Sequence, residues 1–358
     1  MADGDKHKAI TKIKSSDRTQ QIIRISIAVL LLVASVYFTI RDIDLNKLWQ
    51  YIVTADYLWV ILSVPVMLLS HWARAYRWRT LLQPVIKNAS MYNLFSAVMS
   101  GYAVNNVLPR GGEFLRPYLF ARRHKISFTS VFATIVVERF LDLLILLLMF
   151  AGVWLAFTDQ IKEAIPTLQA EKLLVPVLII LGVLILSFYP PLVRIVLRYV
   201  VKPISQGLFD KISVLFEKFA KGFTIIRKPS QYFRLTLESL YVWLLYTIPM
   251  YLIFFSFGFN ESPYNLGISD AVLLLVISGI AFSISPTPGA LGVYHFLIQT
   301  TMMKLYGING EAALAYATVT HGVGYLVQVG FGGIFLLREN IKKIPTKEDI
   351  EAESDGQE

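Results

Sequence analysis

Six ionisable residues sit inside apolar stretches, where a hydrocarbon surrounding would make them costly. Arg110, Glu113 and Arg116 lie in one stretch, and Glu138, Arg139 and Asp142 in the next. Charged groups at membrane depth normally face a protein interior or a wet cavity. Glu113 and Arg116 are three residues apart, and Glu138 and Asp142 four, so each pair shares a helix face. Two chemistries fit this pattern. One is a buried ion-pair cluster, Arg116 or Arg110 with Glu138 or Asp142, that fastens one element to its neighbour. The other is a site in which arginines and polar neighbours such as Asn105 and Asn106 hold an anion while the carboxylates balance them. The two are compatible, because a fastened element can still line a site. His295 lies in a later apolar stretch; a lone histidine there is more often a packing residue, and a cavity role stays open.

Two backbone interruptions stand beside these residues. The first is Leu108-Pro109-Arg110-Gly111-Gly112, and the second is Ser285-Pro286-Thr287-Pro288-Gly289, followed by Gly292. Non-helical backbone is tolerated at membrane depth only where protein buries it or water reaches it. Helices resuming near Gly112 and Ala290 would aim free N–H groups and positive dipole ends inward, a favourable setting for a phosphate-like anion. The glycines would let backbone approach closely.

Other chemistry finds no support in the sequence. There is no cysteine, which excludes disulfides and thiolate metal sites. No metal-ligand spacing, nucleotide loop or Ser/His/Asp arrangement stands out. No cofactor is expected, and the reading is of a protein that is not an enzyme. A net charge of +9 in a soluble chain would suggest nucleic acid. In a membrane protein such an excess gathers in cytoplasmic loops, so no nucleic-acid partner is expected.

The elements that must position these residues are membrane helices. Hydrophobic residues make up 55% of the chain and charged residues 16%, against about 25% charged in soluble domains. A crossing helix needs roughly 20 apolar residues. Clear runs fall at 22–40, 57–73, 128–156, 173–192, 237–258 and 311–337. The broken stretches, 91–121 and 270–305, lie between them. Lys and Arg in the tail 1–21, after the second run and after 192 place those segments and both termini in the cytoplasm. Arg116, Arg122, Arg123 and Lys125 follow the first broken stretch; they stay inside only if it enters and leaves from the cytoplasmic face. The flanks of the second stretch lack Lys and Arg, so it enters from outside. The fold expected is therefore all-α and integral to the membrane, with about six transmembrane helices and two oppositely oriented re-entrant hairpins. That layout suggests an inverted repeat within a single domain, 22–340. An amphipathic segment is expected at 204–226 and a polar tail at 341–358. Arg74, Arg77, Trp78 and Arg79 read as an interfacial anchor. Trp49, Tyr51, Tyr57 and Trp59 read as an outer aromatic belt. Gly322, Gly324, Gly330, Gly332 and Gly333 read as a close-packing helix face.

Several of these pieces, taken in order, resemble the flippase-like membrane domain of the lysylphosphatidylglycerol synthase family. They are Arg77-Trp78 with Leu81-Leu82, Asn106 to Glu113 with Arg116, Glu138-Arg139 with Asp142, and Ile284 to Val293. The resemblance spans nearly the whole chain. It implies a domain that moves lipids between leaflets, here as a stand-alone member lacking the aminoacyl transferase domain. Two positions depart from the family pattern. Ala290 stands where a second glycine is common, and His295 where a glutamate is common. The second departure argues against aminoacyl-phosphatidylglycerol as the substrate.

The function expected is that of a lipid flippase or transporter in the inner membrane. A phospholipid or lipid-linked headgroup, carrying phosphate, would pass through a polar cavity between the hairpins. Its partners would be membrane lipids, with homo-oligomers left open. Alternatives are a secondary transporter or channel for a small soluble anion, and an accessory subunit of envelope glycolipid assembly.

Overall fold

The computed structural model describes residues 26–164 and 229–339, with residue 182 and parts of 195–213. The expected span at 173–192, most of the amphipathic segment at 204–226, and both tails lie outside the described residues. Within them every regular element is a helix, and the architecture is that of an all-α membrane protein. The main helices are α1 (Ser26–Ile40), α2 (Leu45–Thr54), α3 (Tyr57–Leu82), α4 (Met91–Asn105), α5 (Gly111–His124) and α6 (Phe128–Ala156). Then come α7 (Thr158–Ala164), α8 (Pro229–Ser256), α9 (Ile268–Ile284), α10 (Val293–Tyr306) and α11 (Gly310–Arg338).

Helices α3 and α11, and α8 from Gln231, are each long and apolar enough to cross a membrane. Polar side chains cap the first turns of α3 and α11. Asp56 accepts from the Leu58 N–H at 3.0 Å at the start of α3, and Asn309 from the Ala312 N–H at 2.8 Å at the start of α11. Each cap satisfies a donor that the first helical turn leaves unpaired. Helix α3 continues nine residues beyond the apolar run expected to end at 73, because Arg74 and Arg77 find buried partners. Helices α3 and α8 pack antiparallel: Asp56 N–H meets the Ser256 carbonyl at one end, and Thr80 meets Glu238 toward the other. Helix α2 bends away from α1 by 85°. It carries Trp49 and Tyr51, both exposed, two of the four residues read as an aromatic belt.

Helices α4 and α5 form one hairpin. Their arms touch at the base, where Arg123 donates to Asn93 Oδ1 at 2.8 Å. Near the tip the arms come so close that a Cβ on Gly112 would collide with the Gly101 carbonyl oxygen. Fourteen- and fifteen-residue arms reach about 21–22 Å, short of the roughly 30 Å hydrocarbon core. Helices α9 and α10 pack against each other as a second hairpin, with a tip from Ser285 to Gly292. The return helix begins at Val293 rather than near Ala290. A 3-10 turn at Pro288–Ala290 and left-handed backbone at Gly289, Ala290 and Gly292 take up the intervening residues.

Helix α11 serves as a ruler for both hairpins. At its first residue, Gln299 of α10 donates to the Gly310 carbonyl at 3.3 Å. His321 reaches the Gly289 carbonyl, at the second tip, at 2.8 Å. Gln328 accepts from Asn106, at the first tip, at 2.8 Å. Just past its end, Glu339 accepts from Ser96 and pairs with Arg123 at the base of the first hairpin. The hairpins therefore approach from opposite ends of α11. Their tips sit on either side of its midpoint, about 10 Å apart along an axis of about 43 Å. They also touch each other. Arg110 donates to the Ser283 carbonyl at 3.3 Å, and a Cβ on Gly289 would lie 3.0 Å from Asn106 Oδ1.

Each hairpin has its own apolar core. Trp78, Leu94, Leu115, Phe120 and Ile135 belong to the first; Phe254, Leu274, Ile298, Met302 and Tyr316 belong to the second. Helix α6 serves both, with Val131 to Phe140 in the first core and Ile145 and Leu146 in the second. Its charged residues fall near the seam. Of the five glycines expected to pack α11 closely, Gly332 does so: a Cβ there would strike the Met99 carbonyl. At Gly322, Gly324, Gly330 and Gly333 an added Cβ would meet open space.

Candidate functional site

Three helices, α3, α5 and α6, bring seven charged side chains together beneath the first hairpin. Glu138 of α6 is fully buried and lies at the centre. Its Oε1 is 2.6 Å from Arg74 Nη2 and 3.0 Å from Arg116 Nη1, and its Oε2 is 2.9 Å from Arg116 Nη2. One turn on, Asp142 binds Arg74 and Arg77, each at 2.6 Å. Hydroxyls complete the inner shell: Arg74 donates to Tyr246 and Arg77 to Ser239, both at 3.0 Å. Arg116 also stacks over Trp78, 3.9 Å from the ring centre, and Trp78 donates to Thr134 at 2.9 Å. Buried charges persist only when paired and hydrogen-bonded in this way.

Arg74 and Arg77 are thus not an interfacial anchor. They are buried partners of the α6 carboxylates. Their three-residue spacing was the available signal: it sets both on one face of α3, as the spacing of Glu138 and Asp142 does on α6. Arg116 pairs with Glu138, one of the pairings the sequence allowed. Arg110 does not join the cluster; it is exposed at the tip, in left-handed backbone at φ 61°.

The network is graded. Its inner pairs are sealed, while its outer members, Glu113 and Arg139, have side chains 33% and 41% exposed. Glu113 Oε1 stands 3.8 Å from Arg139 Nε. A pocket of about 10 Å³ opens there, enough for one water-sized group. Tyr102, Asn105, Gly112, Glu113, Arg116 and Arg139 are among its lining residues. This pocket is small and lies between the first hairpin and helices α3 and α6, whose Arg74, Ile135 and Arg139 also line it. Nε of Arg74 and of Arg116 is buried there without a hydrogen-bond partner. Four guanidinium groups face three carboxylates, which leaves one positive charge over.

The hairpin tips do other work than expected. The N–H groups that open α5 are occupied: Gly112 N–H donates to Asn105 Oδ1 at 2.8 Å, Gly111 N–H to Leu108 and Glu113 N–H to Arg110. They are not free to hold an anion. Asn106 ties the first tip to Tyr102 and Gln328. Pro109 is exposed in the first tip, while Pro286 and Pro288 are half-buried in the second. His295 lies in the second hairpin, away from the charged network. Its ring meets that of His321 at 4.9 Å. His321, rather than His295, is the residue that reaches the Gly289 carbonyl. Among the described residues no group of His, Asp and Glu has a metal-binding arrangement.

Comparison with known proteins finds membrane proteins of similar sequence. A UPF0104 membrane protein of Pyrococcus horikoshii is 23% identical over 302 residues, which cover 79% of this chain and 88% of that one. A UPF0104 membrane protein of Methanothermobacter thermautotrophicus is 24% identical, over 74% of this chain and 80% of its own. The glycosyltransferase AglD of Haloferax volcanii is 24% identical over 316 residues, covering 82% of this chain and half of AglD. No solved structure matches the chain. The model of the lysylphosphatidylglycerol synthase TM region matches residues 21–332. The chain is a multi-pass membrane protein and belongs to the lysylphosphatidylglycerol synthase TM region family.

Proposed function

We propose that this protein moves a phospholipid or a lipid-linked headgroup between the leaflets of the inner membrane, and that it does so without chemical conversion of the lipid. The observation that carries the reading is the net-positive arginine network opening onto a pocket beside a hairpin tip near the middle of α11. A phosphate crossing hydrocarbon needs compensating charge, and unpartnered Nε donors beside a half-exposed arginine offer it. Tips meeting near the middle of α11 divide the crossing into two short legs. The acyl or isoprenoid tails would stay in lipid. The pocket has room for one small group in this conformation, so the first hairpin must shift to admit a headgroup. Membership of a lipid-modifying enzyme family's membrane region supports the same reading.

A second reading is transport of a small soluble anion, which the same arginines would hold and which would need a smaller shift of the hairpin. Vesicles reconstituted with the full chain separate the two. Fluorescent phospholipids should exchange between leaflets faster than in empty vesicles, and Arg139→Gln should slow them. Lipid exchange at the empty-vesicle rate across a broad headgroup panel, together with uptake of radiolabelled phosphate, would favour the anion transporter.

A further inference from the structure

Arg139 is the guanidinium of the network without a close partner. Its three carboxylate neighbours, Glu113, Asp142 and Glu138, stand at 3.8, 3.8 and 4.0 Å. The inner arginines pair at 2.6–3.0 Å with the same α6 carboxylates. Arg139 Nε is buried and makes no hydrogen bond. Of the three carboxylates, Glu113 alone comes from the hairpin. It follows directly on Gly112, whose lack of a side chain lets the two arms touch. Glu138 and Asp142 are committed to Arg74, Arg77 and Arg116; Glu113 has no second partner among the described residues.

Resting on the transport reading above, we propose that Arg139 is the receptor for the headgroup's oxyanion and that Glu113 is its tethered competitor. In the resting protein the Glu113 carboxylate stands at the pocket mouth, opposite Arg139. An incoming phosphodiester, also a single negative charge, takes over Arg139 and releases Glu113 toward solvent. One monoanion replaces another, so the network keeps its charge while the mouth opens. Glu113 then sets both affinity and access: it keeps the arginines from binding stray anions and withdraws when a ligand outcompetes it. The side chains most exposed in the network, Glu113 and Arg139, are the two this exchange requires to move.

The exchange predicts a gain on removing a charge. The full chain in detergent would be titrated with short-chain dihexanoyl-phosphatidylglycerol, with inorganic phosphate and with dihexanoyl-phosphatidylcholine. Glu113→Gln should bind the phosphatidylglycerol probe about fivefold more tightly than wild type, the scale of a half-exposed ion pair. Glu113→Asp, with a shorter reach, should fall between them, and Arg139→Gln should lose most binding. Glu113→Gln binding equally or more weakly, with Arg139→Gln still impaired, would overturn the competitor role and leave the transport reading standing. Inorganic phosphate binding to wild type as tightly as the lipid probe would overturn the lipid ligand. No saturable binding to any variant would sink the transport reading and this proposal together.

Discussion

Replacing Glu138 by Gln should cost about 3–5 kcal/mol of stability, the penalty for stranding a buried charge. The size follows from how the partners are shared. Both close carboxylate contacts of Arg116 go to Glu138, at 2.9 and 3.0 Å. Arg74 and Arg77 lose Glu138 but keep Asp142 at 2.6 Å. The loss therefore concentrates on Arg116, which is buried and retains its stacking on Trp78. Arg116→Met should cost less, since Glu138 keeps Arg74 at 2.6 Å. The double variant should recover at least about 1.5 kcal/mol relative to the sum of the two, because residues in one network do not add. Unfolding by SDS in mixed micelles, followed by tryptophan fluorescence, gives the three values. A loss below about 1 kcal/mol for Glu138→Gln, or additive single variants, would refute the reasoning.

Three further outcomes follow from the backbone and the layout. Gly112→Ala should destabilise by about 1–3 kcal/mol in the same assay, because its Cβ meets the Gly101 backbone; Gly111→Ala, whose Cβ meets only the Leu108 and Val104 side chains, should cost less. Ala290→Gly should stabilise by about 1 kcal/mol, since alanine at φ 58° occupies backbone that glycine adopts more freely. The chain has no cysteine, so Arg122→Cys and Glu261→Cys can be labelled singly in sealed vesicles. They should react with an impermeant maleimide from opposite sides, and reaction from one side would contradict the opposed hairpins.

Much of the framework was legible because its causes are local. Unbroken apolar runs marked α6 and α11 to within a residue or so, and clustered Pro and Gly marked both interruptions. What escaped depends on tertiary partners. Arg74 and Arg77 look like an interfacial cluster until α6, more than 60 residues away, supplies their carboxylates. Asn105 gives no sign that it will occupy the Gly112 N–H and remove the expected anion site from the tip. Helix α2 falls between the first two apolar runs, too short to count as a crossing, although Leu45, Leu48, Trp49 and Ile52 recur at helical spacing. The α11 glycines show the opposite error: small residues suggested close packing at five positions, and backbone approaches at Gly332.

The depth of the two tips bears most directly on the account. Leu108 and Leu291 are exposed, one at each tip, and can each carry a single bimane label through cysteine. Lipids bearing nitroxides at the headgroup or mid-chain then report the depth of each label. Both labels should be quenched most strongly by the mid-chain probe, placing them roughly 15 Å from either surface. Stronger quenching of either label by the headgroup probe would put that tip at the interface and contradict a route built from two opposed half-crossings.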